Sequence, residues 1–106
     1  STAQRPYTTV PQQALFAMNS PLLIEQSRLL VKDLDLENVA KEQGVDAAIT
    51  KLYQRVLLRK PAVEELELGK QFLAHHHDQI ETPIRMTGWE KYAQMLCTSN
   101  EFMFVD

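Results

Sequence analysis

The sequence predicts an all-α fold: a compact bundle of about five short helices with a docked C-terminal tail. Three observations predict it. Apolar residues recur at helical spacing in successive segments. Prolines and N-cap residues punctuate those segments. No run alternates apolar and polar residues between turn residues, as a half-buried strand would. Three glycines in the chain leave tight hairpins little to work with. The length of 106 residues suits one helical domain, 1–106, with one core.

The first helix is predicted over Val10 to Met18 in the stretch "TTVPQQALFAMNSP". Thr9 serves as N-cap, and Pro11 sits in the first turn, where its missing N–H costs little. Val10, Ala14, Leu15 and Met18 lie near one face, and Phe16 and Ala17 extend it round the helix. No charge occurs between Arg5 and Glu25. A helix apolar most of the way round is buried on most sides. Val10, Pro11, Leu15, Phe16 and Met18 are therefore expected to be covered, as core of this chain, as an interface with another part of a longer protein, or as both.

The second helix starts at once, with Ser20 as cap and Pro21 at the first helical position. Its expected inward stripe is Leu22, Leu23, Leu29 and Leu30, with Glu25, Arg28 and Lys32 outward. It is expected to fray near "DLDLEN". The third helix has the clearest pattern: Val45, Ala48, Ile49, Leu52, Tyr53, Val56 and Leu57 follow i, i+3, i+4, i+7, i+8. Pro61 ends it near Leu58, and Arg59 and Lys60 suit its negative end. The fourth follows Pro61 and runs to about Asp78, with Glu64 and Glu65 at its positive end and Leu66, Gly69, Phe72 and Leu73 inward. The fifth opens on "TGWE", where Thr87 and Glu90 have capping-box spacing. Trp89, Tyr92, Ala93, Leu96 and Cys97 form its stripe. The tail "SNEFMFVD" carries two phenylalanines and a valine, which argues for docking on the bundle.

Composition narrows the function classes. Apolar residues make up 44% and charged residues 24%, the balance of a folded domain. Net charge is -3 and the pI is near 5.6. The densest basic run, Arg55, Arg59 and Lys60, is followed by Glu64, Glu65 and Glu67. That argues against nucleic acid, whose phosphates need clustered Lys and Arg. No apolar run approaches the ~20 residues of a membrane span. The single cysteine, Cys97, allows no internal disulfide. Residues 1–7 are polar and form no signal peptide. The start "STAQRPY" lacks an initiator Met and reads as a cut inside a longer chain.

Few residues point to chemistry. In "HHHD", consecutive histidines point roughly a hundred degrees apart and cannot share one metal. His75 with Asp78, or His77 with Glu81, would chelate better. Both sets are incomplete for a structural zinc, which takes four ligands. The expected reading is a surface run near a helix C-terminus, with no bound metal. Cys97 lies on an inward stripe, where a free thiol acts as a small hydrophobe. No C-x-x-C-H is present, so no haem is attached covalently here and no cofactor is expected in this segment. The carboxylate pairs Asp33 with Asp35 and Glu64 with Glu65 lie at helix ends or on outward faces, where they are solvated. Trp89 and Tyr92 could form a stacking platform, though their spacing suits a core. No nucleophile elbow, P-loop or dinucleotide fingerprint is present.

"TTVPQQALFAMNSP", then "LYQRVLLRKP" with "EEL", then "WEKYAQMLCTSNEFMFVD", taken together, resemble the closing segment of a planctomycete cytochrome-C-associated domain of unknown function. The resemblance covers nearly the whole chain. It implies the C-terminal part of a large, exported or cell-envelope, multidomain protein. Other domains of such a parent often include a haem-binding, cytochrome-like one. It implies no activity. Two positions depart from the family's pattern: Leu58 stands where a glycine is expected, and Ala62 where a threonine cap is expected. The neutral first helix is then expected at the seam with the rest of the parent.

Three readings follow. The first is a non-catalytic helical packing or interaction module whose partners are the upstream domains of the parent. The second is part of an enzyme active site completed by upstream residues, with Gln12, Gln13, Asn19 and Asn100 as contributors. The third is a small carbohydrate- or peptide-binding module using Trp89 or Tyr92. An apolar face left bare on the first helix would also let the fragment form a homo-oligomer.

Overall fold

The computed structural model describes residues 20–76 and 84–98. Five α-helices and one π-helical turn make up the described residues: α1 (Pro21–Leu34), α2 (Leu36–Gln43), α3 (Val45–Leu57), α4 (Val63–Gln71), the π turn (Phe72–His76) and α5 (Gly88–Cys97). No strand occurs among them, and the fold is an all-α bundle. The helix predicted over Val10–Met18, the end of the fourth predicted helix beyond residue 76, and the tail from Ser99 lie outside the described residues.

Caps set the helix starts. Ser20 Oγ accepts a hydrogen bond from the Leu23 N–H at 3.5 Å, and Pro21 opens α1. At α5 the capping box is complete. Thr87 Oγ1 accepts from the Glu90 N–H at 3.1 Å, and Glu90 Oε1 accepts from the Thr87 N–H at 3.0 Å. Four orphan N–H groups at a helix start need such partners.

α1 ends within "DLDLEN", as expected, but on a defined turn rather than by fraying. Asp35 takes the left-handed conformation, φ 52°, and α2 begins on the next residue. Aspartate visits this region more readily than most side chains. Its backbone N–H closes α1 on the Lys32 carbonyl at 3.1 Å, and its own carbonyl accepts from the Val39 N–H at 2.9 Å. Asn38 Nδ2 donates to Asp35 Oδ2 at 3.2 Å. Gly44, at φ 107°, turns the chain from α2 into α3, a backbone angle that favours glycine.

The core lies where α3 meets its neighbours. Leu36, Ile49, Leu52 and Phe72 are fully shielded from solvent. Full burial of each contributes about 1.5–3 kcal/mol of transfer free energy. α2 runs along α3, and α1 packs chiefly on α5. Phe72 and Tyr92 rings meet at 5.7 Å, and Trp89 meets Tyr92 edge-on at 6.1 Å. Gly69 on α4 allows a close approach: a Cβ there would fall on the Tyr92 hydroxyl and 3.2 Å from Ile49 Cδ1.

Two predicted stripes need correction. In α1 the buried residues are Ile24, Ser27 and Val31, not the four leucines. Leu22 and Leu29 face solvent, and Leu23 and Leu30 are half-buried. The helix is rotated because α5 lies on the Ile24–Val31 side. The fourth helix keeps α geometry only to Gln71 and then widens into the π turn. In α3 and α5 the predicted stripes stand, except that Val45 is exposed, Val56, Leu57 and Trp89 are half-buried, and Gln94 joins the buried set.

Candidate functional site

The corner between α3 and α4 is the most distinctive surface among the described residues. α3 stops at Leu57 because Leu58 turns left-handed, φ 60° and ψ 30°. Pro61, three residues on, cannot continue a helix. Leu58 projects outward and is 85% exposed; Val63, at the first position of α4, is 81% exposed. Two large apolar side chains thus flank a turn of four residues.

Arg59 fixes that turn. Its guanidinium holds the Glu65 carboxylate with two parallel bonds of 2.8 Å each. It also donates to the Lys60 carbonyl at 3.0 Å and lies 5.5 Å from the centre of the Tyr53 ring. A bidentate pair of this kind is geometrically specific. Glu65 Oε1 also accepts from the Ala62 N–H at 2.8 Å. Alanine offers no side-chain acceptor, so only the Glu65 half of a capping box exists at α4. The Arg59 hydrogen bonds hold the Glu65 carboxyl below its ordinary pKa, against the effect of desolvation. The sequence places Arg59 at the end of α3 and Glu65 at the start of α4 only as helix-end charges. The structure joins them across Pro61, and Glu65 is half-buried rather than solvated.

A second apolar surface runs along α1. Leu22 is 68% exposed and Leu29 47% exposed, seven positions apart and so on one side of the helix. Beside it, Arg28 Nη2 donates to the Arg85 carbonyl at 2.7 Å, with Glu90 3.8 Å away. That contact ties α1 to the turn before α5.

The groups that suggested chemistry are placed as follows. Cys97 is buried, and burial pushes its thiol pKa up to about 11, away from the thiolate needed for reactivity. Tyr92 is buried beside Tyr53. Burial, with the Tyr53 phenol and the Glu65 charge, raises its pKa far above the ordinary range. It cannot serve as a stacking platform, and Trp89 packs against it. His75 is exposed on the π turn; His77, Asp78 and Glu81 lie outside the described residues. Among the described residues no three His, Cys, Asp or Glu side chains are placed to hold a metal ion. Asp33, Asp35 and Glu64 are exposed. Val10, Pro11, Leu15, Phe16 and Met18, the expected interface, lie outside the described residues, as do Gln12, Gln13, Asn19 and Asn100. No helix among the described residues is long and apolar enough to cross a membrane.

Residues 1–73 match a family model, PSD1, described as "Protein of unknown function (DUF1553)". The chain belongs to this family. The match takes in the first two motifs, the α3–α4 corner and all of α4; the closing motif from Trp89 lies beyond it. No curated protein and no solved structure matches the chain.

Proposed function

We propose that this member of the family is a non-catalytic helical packing or interaction module. Its partners are upstream domains of a longer, exported or envelope-located parent chain. Any haem in that parent belongs to another domain, as the resemblance to cytochrome-associated proteins implies. The observation that carries the reading is the α3–α4 corner. Leu58 occupies a backbone conformation that disfavours it and spends the side chain on solvent. Folding alone gains nothing from that choice. Strained residues persist where surrounding structure holds them, and they cluster at sites of use. Here Arg59, Glu65 and Tyr53 hold the turn, so Leu58 and Val63 form a preorganised apolar pair. Preorganisation lowers the ordering cost of docking.

Hydroxyl-radical footprinting tests this reading. Leu58 and Val63 are to be compared in the isolated 106-residue chain and in the intact parent protein. The expected result is strong labelling of both in the isolated chain and marked protection in the parent. Equal labelling in the two would overturn the assignment of the corner as a contact surface. Turnover of a substrate by the isolated chain would overturn the non-catalytic reading.

A further inference from the structure

We draw no further inference here: the strongest candidate, the outward Leu22–Leu29 face of α1, is an unpartnered apolar face, and nothing in the structure shows what covers it.

Discussion

Replacing Leu58 separates backbone strain from side-chain packing. At φ 60° an L-residue carries a cost of about 1–2 kcal/mol that glycine escapes. Glycine gives back about 0.5–1 kcal/mol through its greater freedom in the unfolded chain. Leu58 is 85% exposed. If full burial is worth about 1.5–3 kcal/mol, deleting its side chain forfeits a few tenths. These effects nearly cancel for Leu58→Gly alone, leaving a gain of about 0.5 kcal/mol. The decisive comparison is Leu58→Gly against Leu58→Ala. Both remove the same apolar contact, and only glycine relieves the conformation. The glycine variant should be more stable than the alanine variant by about 1 kcal/mol. That corresponds to roughly 4–8 °C in Tm for a domain of this size. Urea unfolding followed by far-UV circular dichroism reads it as a shift in midpoint at unchanged slope. At an ordinary helical position the sign reverses, since alanine is favoured over glycine by about 1 kcal/mol. An alanine variant equal to or more stable than the glycine variant would refute a left-handed Leu58.

Ala62→Thr supplies the missing acceptor for the first N–H groups of α4 and should add about 1 kcal/mol; an unmoved urea midpoint would show that the threonine hydroxyl does not cap that helix end. Gly69→Ala should destabilise by about 1 kcal/mol, as overpacking against Tyr92 and Ile49 outweighs the gain in helix propensity. Adding Tyr92→Phe, which removes the crowded hydroxyl, should recover most of that loss, whereas costs that simply add would contradict the close contact. Arg59 depresses the Glu65 pKa, so the folded state binds this proton less tightly than the unfolded chain does. The pair's contribution is complete above the ordinary value of 4.5 and is lost as pH falls through the folded pKa. Glu65→Gln should therefore cost stability at pH 7, by no more than about 1 kcal/mol for a partly exposed pair. The difference from the unsubstituted protein should shrink as pH falls below 4.5; a pH-independent difference would place the effect elsewhere.

Much of the fold was legible because it rests on local periodicity. α3 and α5 each show an unbroken helical stripe, and the Thr87–Glu90 box forms as its spacing predicts. The α1 stripe was misplaced for a physical reason. Its apolar residues run more than halfway round the helix, from Leu22 and Leu29 through Leu23 and Leu30 to Ile24 and Val31. Periodicity alone cannot choose which arc meets a neighbour; the position of α5 does. α2 was missed because an aspartate-rich stretch reads as a helix end. A single left-handed Asp35 ends one helix and starts the next within one residue. The candidate site was half legible. The resemblance singled out Leu58 and Ala62, but not that they frame one turn, because Arg59 and Glu65 pair across a proline and no periodic rule joins them.

Leu58 and Ala62 bear on the proposed function because they fall on the same turn and act in the same direction. A leucine in a left-handed position weakens the corner by about 0.5 kcal/mol relative to glycine, and an alanine at an N-cap by about 1 kcal/mol relative to threonine. The Arg59–Glu65 bridge lies partly in solvent, with about a third of each side chain exposed. A pair in that setting returns up to about 1 kcal/mol. It holds the geometry without fully offsetting the loss. The bridge thus holds the corner while leaving it locally less stable than it could be, and the corner carries an outward leucine and an outward valine. Glycine at position 58 and threonine at position 62 would make the corner more stable. On the reading proposed above, a contact through Leu58 and Val63 gives both exposed side chains a use that folding alone does not.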